Sequence, residues 1–282
     1  IYTPRIWDLG FYAEDWYVVW AGNLWDYLKI IDMHMVDRPL FGLHSAIQYE
    51  LFGANPIFYQ LYALILRIAC SILIYLIINK SFSVSALSGL QAGIIFLVYP
   101  GFLVQPEALT HSNYLLSFLL VLTSIYLNIL GLKNDRKKIK IFLLVASGGS
   151  ALVAYSIMEW FISFEIIRVV IIYFELYKFP QNQFKFFKLL RTIKSYLPIG
   201  VFTLVFLIFR LLIFKSARST TSIEEVVHII QKSPFEFLLN LIIRTGENFY
   251  SQVFSAWSAP LYRLTNLTTN KDLLVGLIIA FL

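Results

Sequence analysis

The sequence predicts an all-α polytopic membrane protein, a bundle of apolar transmembrane helices with amphipathic interfacial helices in its outer loops. Of the 282 residues, 59% are hydrophobic and only 14% are charged, whereas soluble domains carry about 25% charged residues. The apolar residues form runs long enough for helices that cross a bilayer. Aromatic residues make up 17% of the chain, which is typical of proteins with aromatic belts at the membrane interfaces.

Six apolar segments are predicted to span the membrane within residues 57–214. A spanning helix needs about 20 mostly apolar residues, and the segments that meet or approach this length are 57–79, 84–104, 114–132, 141–157, 160–177 and 197–214. A seventh is predicted to start at residues 273–282, which is about half of the length needed. Residues 1–10 resemble neither an initiator sequence nor a signal peptide. We therefore expect the chain to be an internal piece of a longer protein, truncated at both ends.

The distribution of Lys and Arg predicts the orientation of these spans. The connections 133–140 and 178–194 each hold five basic residues, whereas the alternate connections 105–113 and 158–159 hold none. Basic loops favour the cytoplasmic side, so we place both there, in the plasma membrane of a bacterium or archaeon. The formal charge of +6 is then a topology signal, and no nucleic-acid partner is expected.

Two long segments, residues 1–56 and 215–272, are expected to lie outside. In the first, apolar residues recur at helical spacings over 16–31 and 40–52. In the second they do so over 223–231 and 234–250. Segments of this pattern are typical of helices that lie in the membrane interface.

An acidic pair, Glu14 and Asp15, lies in the first outer segment. Adjacent carboxylates repel each other, which raises one pKa and keeps a general base available. The alternative is that both are solvated loop acids.

The next candidate is Asp37-Arg38-Pro39-Leu40. An Arg held in front of a proline presents its planar fork to a phosphate group. Alternatively, Arg38 pairs with Asp37 or contacts lipid headgroups.

Three further ionisable residues fall at outer ends of predicted spans, where charges are costly and usually functional. Glu107 and His111 are four residues apart and would share one face of a helix. They form a weak metal-ligand set and are expected to line an outer cavity. Glu159 lies at the next outer turn. Within the following span, Glu165 and Arg168 are spaced to neutralise one another.

The order of these motifs resembles the GT-C superfamily of membrane glycosyltransferases, in particular its dolichyl-phosphate-mannose protein mannosyltransferase-like branch. The motifs are Glu14-Asp15, Arg38-Pro39-Leu40, Pro106-Glu107 and Met158-Glu159. In that branch an acidic pair, an Arg-Pro-Leu, a Pro-to-Glu stretch and a Lys-Glu turn follow one another in this order. Met158 stands where the family has Lys. The resemblance covers residues 11–177.

The resemblance implies transfer of a sugar from a polyprenyl-phosphate carrier to an acceptor hydroxyl, on a protein or glycan, at the outer face with inversion. It implies Asp15 as general base, with Glu14 as its neighbour or substitute, and Arg38 as the donor-phosphate ligand. Asp37, Glu107, His111 and Glu159 would line the cavity. No metal ligand is assigned, although the family allows a divalent metal.

Two other classes of function fit the composition. A non-catalytic subunit of a membrane complex would use its outer helices to bind partner proteins. A transporter or flippase would need Arg67, Glu165, Arg168 and Arg210 along one path at membrane depth.

Overall fold

The fold is given by a computed structural model, which describes residues 6–82, 85–99, 106–177, 185–214 and 223–257. Within these ranges the regular structure is entirely helical, with eleven α-helices. Four of them are long and apolar enough to cross a membrane. They are α4 (Pro56–Ser81), α6 (Ala108–Lys133), α7 (Lys137–Ile157) and α9 (Lys185–Ile208), whose candidate spanning part, Leu190–Ile213, continues into the π-helical turn after it. This confirms the predicted helical, multi-pass membrane protein.

The other two predicted spans are shorter helices than expected. Helix α5 covers Ala86–Val98, and residues 100–105 lie outside the described ranges. The segment 160–177 begins within a 3₁₀ turn, Glu159–Ser163, and continues as α8, Phe164–Tyr177. At 13 and 14 residues, both α-helices fall short of the about 20 residues that a bilayer requires. A continuous apolar run conceals the change from a 3₁₀ turn to an α-helix, which is why the sequence suggested one longer element.

Three shorter helices precede the bundle: α1 (Asp15–Leu24), α2 (Tyr27–Met35) and α3 (Pro39–Phe52). The single helix expected over residues 16–31 is therefore two helices. The break occurs at Asp26, whose carboxylate accepts a hydrogen bond from the backbone N–H of Lys29 and so starts α2 as its N-cap. The helix expected over 40–52 is confirmed. It begins with Pro39 at its first position and ends before Gly53, which has a positive φ of 57°.

Helix α6 is the centre of the bundle. Half of its apolar stretch is buried, against a third or less in α4, α7 and α9. Serine hydroxyls connect it to α7 along its length: Ser117 donates to the Ala154 carbonyl (2.8 Å), Ser147 to the Ser124 carbonyl (2.7 Å) and Ser150 to the Leu120 carbonyl (2.8 Å). These bonds pair hydroxyl groups that hydrocarbon would leave unsatisfied.

Contacts at one end of the bundle fit the predicted alternation of spans. The Lys133 ammonium donates to the Lys80 carbonyl and pairs with Glu175 at 3.2 Å. These residues terminate α4, α6 and α8, so three alternate helices end together. Assignment of this end to the cytoplasm stays a prediction. The second basic connection was expected over residues 178–194. Helix α9 begins at Lys185, so the connection is shorter than expected. Residues 178–184 lie outside the described ranges.

The chain divides into two compact units, of which the bundle with α1–α3 is one. The other contains α10 (Ile223–Lys232) and α11 (Pro234–Tyr250). Both helices lie where the apolar spacing over residues 223–231 and 234–250 predicted them. Their location at a membrane interface stays a prediction. Residues 215–222 and 258–282, which include the expected seventh span, lie outside the described ranges.

Candidate functional site

A two-bonded ion pair joins the start of α3 to the turn after α7. Arg38 is the residue that precedes α3, and its backbone places the guanidinium at the end of the bundle. Its Nε donates to Glu159 Oε2 at 3.0 Å and its Nη2 to Glu159 Oε1 at 2.9 Å. The nearer acid of the sequence, Asp37, is 3.9 Å from the same guanidinium. In this structure the Glu159 carboxylate, and not Asp37, fills the fork of Arg38, and its role as a phosphate ligand stays a prediction.

A second guanidinium, that of Arg210, faces the same carboxylate. Its Nη2 lies 3.6 Å from Glu159 Oε1 and 3.5 Å from Asp37 Oδ1, and its Nη1 donates to the Asp37 carbonyl at 3.1 Å. Arg210 sits in a π-helical turn, Phe209–Ile213, that follows α9. Its only sequence signal was a lone charge near the end of an apolar run, so it was missing from the expected site. Two acids and two bases thus form one cluster.

This cluster lines a cavity of about 190 Å³. The remainder of the lining is mainly apolar and aromatic, and includes Leu40, Phe206, Phe209 and Phe214. Each guanidinium also lies near an aromatic ring: Arg38 is 5.8 Å from the centre of Trp160, and Arg210 is 5.1 Å from that of Phe214. At such distances the ring quadrupole attracts the cation. The cavity therefore combines cationic groups with apolar walls.

Electrostatics keep both members of the ion pair charged at neutral pH. Burial acts to raise the pKa of Glu159, but the hydrogen bonds and charge of Arg38, together with the charge of Arg210, outweigh it and lower that pKa. The hydrogen bonds to Glu159 raise the pKa of Arg38 against the effect of its burial. The carboxylate and guanidinium thus stabilise each other as ions.

The two acids of the Glu14-Asp15 pair have different surroundings. Asp15 is 1% exposed and lies at the N-terminus of α6, where its carboxylate accepts the backbone N–H of Thr110 (2.9 Å) and that of Leu109 (3.3 Å). Burial raises the pKa of Asp15 to about 6, and these hydrogen bonds offset part of the rise. Glu14 is exposed. Nothing in the residue pattern around Glu14 and Asp15 predicts this difference.

Tyr114 lies near Glu14 and near the Arg38–Glu159 cluster. Its ring lies 6.2 Å from that of Trp160, the neighbour of Glu159. Its hydroxyl is within electrostatic range of Arg38, Glu14, Glu107 and Glu159. The structure therefore brings these expected site residues to one end of the bundle. Tyr114 itself was not predicted, because a tyrosine inside an apolar run carries no signal of its own.

Glu107 and His111 lie at different depths. Glu107 is the half-buried N-cap of α6, whereas His111 is buried one turn further along, near Arg67 and the Tyr114 ring. Within the described ranges, no three His, Cys, Asp or Glu side chains are close enough to hold a metal ion.

A buried polar network beside α6 was not foreseen. The His44 Nδ1 is 2.7 Å from Asn113 Oδ1, and its Nε2 is 3.0 Å from the Tyr62 hydroxyl. Gln48 lies 3.2 Å from the same Nδ1 and accepts the Ser112 hydroxyl at 2.7 Å. Burial lowers the pKa of His44. The spacing of His44 and Gln48, four residues apart on one face of α3, could have indicated it.

The four charged residues needed by a transporter do not line one cavity. Arg168 pairs with Glu165 at 2.9 Å, as predicted, and donates to Ser124 and Ser147 at 2.8 and 3.1 Å. Arg67 lies near His111. Of the four residues that such a path requires, only Arg210 lines the cavity.

Comparisons of the chain with protein-family models, with curated proteins and with solved structures found no match.

Proposed function

We propose that the chain belongs to a membrane glycosyltransferase that transfers a sugar from a polyprenyl-phosphate donor to an acceptor hydroxyl, with inversion at the anomeric carbon. The observation that carries the proposal is that Arg38 and Arg210 line one cavity whose remaining walls, apart from the acids paired with them, are mainly aliphatic and aromatic. A polyprenyl phosphate has the complementary chemistry, since it joins an anionic phosphate to an apolar chain. Planar guanidinium groups are well suited to phosphate oxygens.

The reaction requires two groups from the protein. As the acceptor oxygen attacks the anomeric carbon, the bond from that carbon to the phosphate oxygen breaks and its electron pair stays on the leaving phosphate. The guanidinium groups of Arg38 and Arg210 would stabilise this developing charge. The acceptor proton passes to a carboxylate within hydrogen-bond reach.

We assign the base role to Glu14, with Asp15 as a positioning residue. Asp15 was the first expectation from the sequence, and a pKa of about 6 suits a base at neutral pH. However, both of its oxygens accept backbone N–H groups and it is closed to solvent. Glu14 is the accessible member of the pair. By fixing the end of α1 to α6, Asp15 holds Glu14 at the end of the bundle that carries Arg38.

The buried position of Asp15 also favours a second candidate, a non-catalytic subunit of a membrane complex. In that case the acid serves only to cap α6, and the outer helices bind partner proteins. Such a subunit would transfer no sugar, so an activity measurement separates the two candidates.

The test is transfer of radiolabelled hexose from polyprenyl-phosphate hexoses by the full-length protein in membranes. We expect Glu14→Gln and Arg38→Gln each to lower the rate at least about a hundredfold, in line with loss of a general base or an oxyanion donor. Glu50→Gln is the matched control, because Glu50 is an exposed acid near the end of α3. An absence of transfer from every lipid-linked hexose would overturn the proposal in favour of the subunit.

A further inference from the structure

The Glu159 carboxylate occupies the position between the two guanidinium groups of the cavity. One oxygen, Oε1, is 2.9 Å from Arg38 Nη2 and 3.6 Å from Arg210 Nη2, while Oε2 is 3.0 Å from Arg38 Nε. Two cations therefore converge on one anionic group, at distances that the oxygens of a phosphate group would also satisfy.

With Glu159 in place, the cluster has no net charge. Asp37 and Glu159 contribute two negative charges, and Arg38 and Arg210 contribute two positive ones. A neutral cluster gives an incoming anion little net attraction. If Glu159 moves away, the three remaining groups carry a net charge of +1, which attracts a phosphate anion.

Of the two acids, Glu159 is the more easily removed. Its side chain is 26% exposed, against 12% for Asp37. It is the first residue of a five-residue 3₁₀ turn, and turns of this kind are weakly held. Asp37 also binds Arg210 through its backbone carbonyl, so Arg210 stays in place without Glu159.

We propose that Glu159 is a displaceable counter-ion, and that the phosphate group of an anionic lipid phosphate replaces its carboxylate between Arg38 and Arg210. This rests on the ligand class of the proposed function but requires no sugar transfer. In the free protein Glu159 keeps two partly buried guanidinium groups paired, which avoids the cost of unpaired buried charge. On binding, the carboxylate turns to solvent and the phosphate takes over its hydrogen bonds. Glu159 therefore lowers the affinity of the site that it stabilises.

The test measures binding of undecaprenyl phosphate to the full-length protein in nanodiscs, by native mass spectrometry or calorimetry. Glu159→Gln removes the competing charge and keeps the size of the side chain, and we expect it to bind at least about tenfold more tightly than wild type. Arg38→Gln is expected to bind at least about tenfold more weakly. Unchanged or weaker binding by Glu159→Gln would overturn the inference, because Glu159 would then be a ligand of the lipid or a bystander.

A second variant tests whether the charge of Glu159 is what competes with the phosphate. Glu159→Asp keeps the charge but shortens the side chain by one methylene, so it holds Arg38 less well. We expect its affinity to fall between those of wild type and Glu159→Gln. An affinity of Glu159→Asp equal to that of Glu159→Gln would contradict the counter-ion role, because the aspartate retains the charge that should compete with the phosphate.

Inorganic phosphate identifies the source of the anion. If it competes with undecaprenyl phosphate only at concentrations at least about a hundredfold higher, the lipid chain contributes and the lipid phosphate is the ligand. Equal competition would overturn the lipid assignment in favour of a soluble phosphate. This outcome can be separated from the proposed function. Tighter binding by Glu159→Gln without any sugar transfer supports the counter-ion role and refutes the transferase. Sugar transfer with unchanged binding by Glu159→Gln supports the transferase and refutes the counter-ion role.

Discussion

The Arg38 guanidinium and the Glu159 carboxylate, 121 positions apart in the sequence, form an ion pair with two hydrogen bonds of 2.9 and 3.0 Å. Only 23% and 26% of the two side chains are exposed. The pair therefore fixes the start of α3 against the turn that follows α7, and it does so with geometry that restricts both side chains.

A double-mutant cycle measures the strength of this pair. We expect Arg38→Gln and Glu159→Gln to couple by about 1–2 kcal/mol in the free energy of unfolding, because a partly buried, two-bonded pair exceeds the usual value for surface pairs. The measurement is denaturant unfolding of the detergent-solubilised protein. The exposed Lys29–Asp32 pair, at 2.7 Å, is the matched control and should show coupling close to zero. Equal coupling in the two cycles would contradict the expectation.

Asp15 should make the stability depend on pH. Its pKa is about 6 in the folded chain against an ordinary value of 3.8. Between these values the unfolded chain loses the proton while the folded one keeps it. The stabilisation by protonated Asp15 is thus complete below about pH 4 and is lost as pH rises through 6.

The difference in unfolding free energy between wild type and Asp15→Asn should therefore fall by up to about 3 kcal/mol from pH 4 to pH 7. Thermal or denaturant unfolding at one-unit pH intervals gives the curve. Asp32→Asn, at an exposed acid, serves as control. A difference that is flat across this range, or that rises, would show that Asp15 is not buried as described.

Removal of one partner from the Glu165–Arg168 pair should be strongly destabilising. Glu165→Ala leaves a fully buried guanidinium without its carboxylate, and we expect a loss of about 3–5 kcal/mol in unfolding free energy. The double variant Glu165→Met with Arg168→Met removes both charges and should lose much less. If the double variant is as unstable as Glu165→Ala, the loss comes from packing and not from the unpaired charge.

Two adjacent glycines of α7 provide a matched comparison. A Cβ at Gly148 would collide with the Phe202 ring of α9, whereas a Cβ at Gly149 meets nothing within 4 Å. We expect Gly148→Ala to destabilise the protein by about 1–3 kcal/mol through overpacking. Gly149→Ala should be neutral or slightly stabilising, because alanine favours a helix. The same unfolding measurement tests both, and equal effects would show that α7 and α9 do not approach closely there.

Helix α11 should lie in the membrane interface with one face in lipid. Leu238, Ile242 and Phe249 are exposed and recur at helical spacing, while Asn240 and Arg244 occupy another face. We propose spin labels at Ile242→Cys and, as control, Asn240→Cys, in a variant that lacks the single native cysteine, Cys70. Dissolved oxygen, which is apolar, should relax the spin label at position 242. A water-soluble nickel chelate should relax the spin label at position 240. Preferential nickel relaxation at 242 would place that face in water.

Prediction from the sequence succeeded where the signal is local. Helices α4, α6, α7 and α9 follow from apolar runs, and the Glu165–Arg168 pair follows from a spacing of three residues. The Arg38–Glu159 pair was beyond reach, because the packing of α3 on α7 decides which distant acid meets Arg38. The contacts of Asp15 were also beyond reach. Its partners are backbone N–H groups of α6, and the identity of a residue does not show which side chain its backbone binds. Arg210 lies in a π-helical turn, which an apolar run does not predict.

The serine hydroxyls between α6 and α7 fix the position of one helix along the axis of the other. The start of α6 and the end of α7 carry the candidate site. Each bond joins a hydroxyl to one particular carbonyl. A slip of one helical turn, about 5.4 Å along the axis, would leave several of these groups without partners in hydrocarbon. It would also move Glu159, which follows α7, out of reach of Arg38 and shift the α6 terminus that holds Asp15. The hydroxyl bonds along the length of α6 and α7 thus also fix the alignment of the candidate site at their ends.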